Sequence, residues 1–285
     1  MGQAVFGQLL DGVIVGTLYG VIAIGISLTF GITGIVNFAL GAFMMLGAYL
    51  TWFLADGVGL PYALAVLCAV LLTAVAGLVA DQVLFRFTRN NLVNGLLVSI
   101  GLIAIIEGAV ALVWTSTPKE MDAVLPGVVS LFGIIVPKSK LLVFAVLIVV
   151  IMLTQLALTR TWTGRAAYAY AQNPEAAELM GVRTQLLQSG VVVYSTALAA
   201  LGGAMYASLY SLEPTMGGFY VLKAVEAAVL GGIGSVLGSL FGGVILGVSE
   251  GIGSLFFPLS FRDAYGLVFL VIILLFKPAG LFSKK

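Results

Sequence analysis

Arg160 to Gln188 reads RTWTGRAAYAYAQNPEAAELMGVRTQLLQ, the longest run of mixed polarity in an otherwise apolar chain. Apolar segments long enough to cross a bilayer lie on both sides of it. Lipid cannot solvate such a run, so it must sit in water or against protein. Its middle predicts a short helix. Asn173 can cap the helix, Pro174 suits the first position, and Glu175 and Glu178 lie near the positive end of its dipole. Gly181 is a plausible stop, and Thr184 can cap the helix that follows. Ala176, Leu179 and Met180 share one face at helical spacing. An apolar face on a short exposed helix suggests a docking surface; a solvated loop with a stabilising cap is the plainer reading.

Working outward, the 285 residues are 61% hydrophobic and 9% charged, too little charge to cover a soluble domain of this size. Apolar runs of about 20 residues recur, as helices crossing a ~30 Å hydrocarbon core require. The expectation is an all-α, polytopic membrane helix bundle forming one transmembrane domain over residues 1–285. Spans are predicted at 9–30, 38–54, 64–83, 92–114, 141–158 and 189–212, with a last one around 264–276. The N-terminus lacks the basic region and cleavage site of a signal peptide, so the first apolar run is expected to stay as a span.

The stretch 223–257 is too long for one straight crossing at ~1.5 Å per residue. Gly231, Gly232, Gly234 and Gly238 interrupt it. Charge bears on its path. Arg86, Arg89, Arg160, Arg165 and Arg183 fall on one side, and Lys119, Lys138 and Lys140 on the other. That places the 160–188 loop in the cytoplasm. One crossing over 223–257 gives eight spans and leaves Lys277, Lys284 and Lys285 outside, against the rule. If the stretch turns back, the basic tail returns inside. About eight transmembrane helices are therefore expected, with a broken or re-entrant segment near 231–238.

Chemistry is sparse. There is no histidine, and the single cysteine, Cys68, lies in an apolar run. This removes His-based triads and the commonest metal ligand. No GxxxxGK[ST], HExxH, GxSxG or CxxC motif occurs. An enzyme is not expected, nor a metal, nor a cofactor bound by this chain. Glu107, Glu226 and Glu250 lie in apolar sequence and are costly there unless they face a cavity or a partner. Lys223, three residues before Glu226, can pair with it on one helix face, and Glu250 can be solvated near a membrane surface. Gly12, Gly16 and Gly20 make one flat ridge; Gly234, Gly238 and Gly242 make another, and Gly243, Gly247 and Gly251 a third. Close helix packing explains most of these. Gly231-Gly232-Ile233-Gly234-Ser235 is different, because four weak helix formers in five positions should open the backbone beside a passage. Asn37 could play a similar polar part, or simply cap the second span.

Three pieces carry a resemblance: Asn37-Phe38-Ala39-Leu40-Gly41; Glu175-Ala176-Ala177 with Gly181; and Ala227-Ala228-Val229-Leu230-Gly231-Gly232-Ile233-Gly234-Ser235. Together they resemble the branched-chain amino acid ABC transporter permeases of the LivH-like family, over essentially the whole chain. The resemblance implies a multi-pass subunit of the bacterial inner membrane. It implies pairing with a second, homologous permease chain as a heterodimer. Two cytoplasmic ATPase subunits that use ATP, and a periplasmic binding protein that delivers the small-molecule substrate, complete the assembly. Membrane lipid surrounds it, and no nucleic acid is involved. Arg165, Glu175, Ala176, Ala177 and Gly181 would lie in the ATPase-coupling loop. Asn37, Gly41, Glu226, Gly231, Gly232, Gly234 and Ser235 would line the translocation path. Relatives often carry histidine where this chain has Leu40, and the family extends to urea and short amides, so the solute stays open. The other readings are an ion-coupled secondary transporter using one of the glutamates, and a channel for a small neutral solute.

Overall fold

The computed structural model describes residues 2–88, 91–122, 124–131, 134–256, 262–278 and 280–282. Arg89, Lys284 and Lys285, whose charges bear on the topology, lie outside the described residues. The described chain is helical almost throughout: α1 Gly2–Thr33, α2 Ala39–Trp52, α3 Tyr62–Val83, α4 Leu92–Trp114, α5 Lys138–Arg160, α6 Trp162–Gln172, α7 Pro174–Leu179, α8 Thr184–Ala207, α9 Met216–Gly231, α10 Val236–Phe256 and α11 Arg262–Phe276. Seven of the described helices are long and apolar enough to cross a membrane, and α11 supplies a shorter apolar segment. The six early spans fall within a few residues of the predicted ones. The 115–140 connection also holds a two-stranded antiparallel hairpin, β1 Val128–Leu131 and β2 Ile134–Pro137, with Val129 opposite Val136. Its β-branched residues suit a pleated ladder.

Small residues decide which helices touch. Gly12, Gly16 and Gly20 of α1 lie against Gly247, Gly243 and Leu240 of α10, so the two helices run antiparallel with almost no side chain between them. A Cβ at Gly16 would overlap the Gly243 carbonyl and Val244 Cα. The neighbouring ridge of α10 faces elsewhere: Gly238 meets Gly231 and Gly242 meets Ala227, both on α9. One helix thus carries two glycine stripes because it seats two partners, as close approach in lipid requires. Gly47 and Gly203 do the same for α2 against α8, meeting Ala200 and Met44. Gly77 of α3 rests on Thr196 of α8.

The core is the space among α1, α2, α8, α9 and α10, where Ile22, Ile24, Leu40, Phe43, Met44, Met45 and Leu230 are fully buried. By contrast α3, α4 and α5 bury only narrow stripes. Their outer faces expose Leu71, Val75, Ile105, Leu112 and Met152. That is the surface expected of helices against lipid or a second membrane chain.

The 223–257 stretch does not cross once. It splits into α9 and α10, which return on each other as a hairpin at residues 232–235. The turn lies at the end of the bundle occupied by α6, beside Tyr168, Leu158 and Gly31. α11 runs back along α10, with Tyr265 at Gly253 and Gly280 at Gly232, so the tail ends at the same place. The opposite end holds the start of α1 and the β-hairpin: Asp11 pairs with Lys140 at 2.7 Å, and Gly7 lies by Ile134.

Candidate translocation site and coupling loop

The α9–α10 turn follows from its residues. Gly232 and Gly234 adopt φ of +93° and +94°, a region closed to most side chains. Ser235 Oγ accepts the Gly238 N–H at 3.0 Å and so caps α10. Ser27 Oγ on α1 accepts the Gly234 N–H at 2.5 Å, fixing the turn to the core. Carbonyls at the end of a helix need donors. Here the tail supplies them: Leu281 N–H donates to Leu230 O at 2.9 Å and Phe282 N–H to Gly231 O at 3.2 Å. A groove of about 370 Å³ borders this turn, lined by Gln155, Tyr168, Gly234, Ser235 and Phe282 among others. Among the described residues its walls offer neutral polar side chains and no charged group. A smaller cavity of about 80 Å³, with Ser27, Gly31 and Tyr168, adjoins it.

Tyr168 belongs to α6, so the loop and the glycine turn meet in one wall. The chain bends sharply after α5. Thr161 Oγ1 caps α6 by accepting the Gly164 N–H at 3.1 Å, and Gly164 lies directly on Leu158, where no Cβ fits. The sequence reading missed α6, although Thr161 three residues before Gly164 was its start signal. α7 is as predicted: Asn173 Oδ1 accepts the Ala176 N–H at 3.0 Å, Pro174 takes the first turn, and Gly181 ends it at φ +86°. The next helix differs in detail. It starts at Thr184 with Arg183 in the cap position and no side-chain cap bond. Gln188 of α8 donates to Tyr170 OH at 2.6 Å, tying α6 to α8. Ala177 packs inward at 4% exposure, while Leu179 and Met180 stand 88% and 86% exposed. Arg165, Glu175, Ala176 and Gly181 are also exposed. The tip of α7 therefore presents two large apolar side chains that nothing among the described residues covers.

The remaining candidate residues lie apart from the turn. Asn37, 1% exposed, accepts the Ala39 N–H at 3.0 Å through Oδ1, although Phe38 rather than Asn37 takes the cap position of α2. Its Nδ2 has no hydrogen-bond partner among the described residues, and Asn37 lines a very small cavity with Thr29, Thr33 and Asp81. Gly41 is a packing position, pressed against the Gly217 carbonyl and Val221 of α9. Glu226 is only 3.7 Å from Lys223, the predicted neighbour, but Lys223 sits nearer Glu250, at 2.8 Å. Tyr19 OH donates to the other oxygen of Glu250 at 3.2 Å. Glu250 is thus fully buried between α1, α9 and α10 rather than solvated at a surface. Glu107, half-buried on α4, lies beside Gly218 in the first turn of α9. The sequence reading also passed over Asp81, a buried carboxylate in α3 that accepts from Ser189 Oγ at 2.5 Å. Nothing in linear spacing joins residues 108 apart.

The family model described as the branched-chain amino acid transport system permease component matches residues 8–277. The chain belongs to this family. The high-affinity branched-chain amino acid transport system permease protein BraD of Pseudomonas aeruginosa is 31% identical, over 97% of this chain and 95% of its own length. The corresponding LivH of Escherichia coli is 30% identical over the same shares. Among solved structures, a chain of PsaBC from Streptococcus pneumoniae in complex with Fab matches with a TM-score of 0.53 at 11% identity, covering 93% of this chain and 90% of that one. That likeness speaks for the fold alone. The branched-chain permease family is one of transport proteins, not enzymes, and this member is a multi-pass protein of the inner membrane.

Proposed function

We propose that this permease is the membrane half of an ABC importer for branched-chain or related amino acids, moved by ATPases on separate chains. The single observation that carries the reading is the tip of α7. Leu179 and Met180 project uncovered from a helix capped at both ends, on a loop whose arginines mark it as cytoplasmic. Two cytoplasmic ATPase subunits would seat that tip. A second, homologous permease would complete the path, and a periplasmic binding protein would select the solute.

In this reading Arg165, Glu175, Ala176, Ala177 and Gly181 form the handle. α6 is bent tightly against α5 and tied to α8, so a push on α7 reaches Tyr168 with little loss. Tyr168 borders Gly234 and Ser235, so the same push alters the groove at the glycine turn. Gly234 and Ser235 would meet the solute through backbone and hydroxyl groups, whereas Gly231 and Gly232, expected in the path, are buried behind the groove and shape the turn. A wall of neutral polar groups suits a zwitterion passing weakly bound, since selection occurs before it arrives. The relatives' names point to branched-chain amino acids, and Leu40 does not argue otherwise here. It is fully buried against α1 and lines none of the grooves described.

Uptake of labelled leucine into proteoliposomes tests the reading. Transport is expected only with the ATPases, the partner permease, the loaded binding protein and ATP together. Uptake by this chain alone, without nucleotide, would overturn it.

A further inference from the structure

A second feature of the loop end is not explained by transport. Between α5 and α8 runs a trough of about 340 Å³, walled by Leu28, Leu158, Ala167, Leu187 and Val191. The hydroxyls along it are already engaged. Thr154 Oγ1 donates to Val150 O at 2.8 Å and pairs with Tyr194 OH at 2.6 Å. Thr161 Oγ1 donates to Ala157 O at 2.5 Å and accepts the Gly164 N–H at 3.1 Å. An amino acid placed there would leave both charged ends buried without partners, which is strongly unfavourable. A hydrocarbon chain has nothing to leave unpaired.

The trough does not end blindly. Thr163, Leu186 and Leu187 also wall a second cavity of about 380 Å³, which reaches Trp162 and Arg183. Trp162 is 65% exposed, the posture of an aromatic at a membrane interface. Arg183 is exposed and makes no ion pair among the described residues, and the same holds for Arg160 and Arg165 on this loop. The loop's own carboxylates, Glu175 and Glu178, line neither cavity. The slot is therefore apolar along its length and positive at its cytoplasmic mouth. Leu186 and Gly190, which line the trough, are exposed, so it opens to the outside of the bundle.

We propose that this slot binds one anionic phospholipid of the inner leaflet, with an acyl chain in the trough and the phosphate at Arg183. The bound chain props α5 away from α8, the two spans that the coupling loop joins. Basic pockets between membrane helices on the cytoplasmic side favour acidic head groups by about 1 kcal/mol per cation.

Gly190 lines the trough, and a Cβ added there meets nothing within 4 Å. Gly190→Phe should fill the trough without disturbing the backbone. The test is native mass spectrometry of the full chain, with whatever subunits co-purify, after exposure to phosphatidylglycerol or to phosphatidylcholine of the same acyl composition. The wild type should retain phosphatidylglycerol roughly fivefold better than phosphatidylcholine, the ratio expected for one cation. Gly190→Phe should lose both lipids, and Arg183→Gln should remove only the preference. Should Gly190→Phe fail to fold, the Arg183→Gln comparison decides alone. Undiminished retention by Gly190→Phe at an unchanged Tm would overturn the proposal. So would an unaltered preference in Arg183→Gln, or cross-linking of Gly190→Cys to a partner subunit, since protein would then occupy the slot.

Discussion

At the scale of single residues, Lys223, Glu250 and Gly16 make the sharpest demands. The Lys223–Glu250 pair is almost fully buried, with side chains 3% and 1% exposed. Removing one member of a buried pair typically costs about 3–5 kcal/mol, more than the pair contributes over an apolar substitute. Lys223→Met should therefore lower folded yield in detergent sharply, and Lys223→Met with Glu250→Leu should recover part of it, read by size-exclusion profile and Tm. Equal loss in the double variant would show that the ion pair is not what holds α9 to α10. Gly16→Leu should be worse tolerated than Gly190→Leu, because only the first meets backbone of a neighbouring helix. Overpacking of this kind costs about 1–3 kcal/mol or more. Spacing along the chain gave the ridge at Gly12, Gly16 and Gly20 without naming its partner. The Lys223–Glu226 spacing named a partner, but Glu250 is the nearer one. Local geometry is written in neighbours of three or four residues; a contact between helices is not.

Elements show the same division. α7 was legible in full because Asn173, Pro174 and Gly181 each act on backbone within a turn of themselves. Asn173→Ala should remove about 1 kcal/mol of cap stabilisation. Faster amide exchange across 174–180 should follow, with ATP-coupled uptake falling while insertion stays intact. Unchanged exchange would mean that packing of Ala177, not the cap, holds the helix. Gly181→Trp should abolish coupling without affecting insertion. The φ of +86° costs a non-glycine residue roughly 1–2 kcal/mol, and the space around it is open for a partner rather than for a side chain. Normal transport by this variant would remove Gly181 from the docking surface. The α9–α10 turn was half legible. Glycines at 231, 232 and 234 announced a break, but its depth depends on Ser27 of α1 and on the tail at Leu281, both remote in sequence. Gly232→Leu should therefore impair both folding and transport, since Gly280 of the tail lies against it.

For the whole molecule, the two ends of the bundle differ in kind. One end gathers the α6–α7 loop, the glycine turn and the tail; the other holds the start of α1, the β-hairpin and the Asp11–Lys140 pair. The charge count that puts the loop inside favours a tail on the same side, which needs the 223–257 stretch to turn back. α11, running back along α10, puts the tail at that end. Composition and hydropathy were enough to fix a polytopic bundle, because lipid leaves helices few alternatives. They could not reveal that α10 serves two partners or that α6 links the loop to the turn. The account stands on the loop being a cytoplasmic handle for an external motor. The most direct measurement replaces Met180 by cysteine in a Cys68→Ala background and applies a membrane-impermeant maleimide. Labelling is expected in inverted vesicles but not in intact cells, and is expected to be suppressed when the ATPases are bound; labelling from the outside of intact cells would contradict the account.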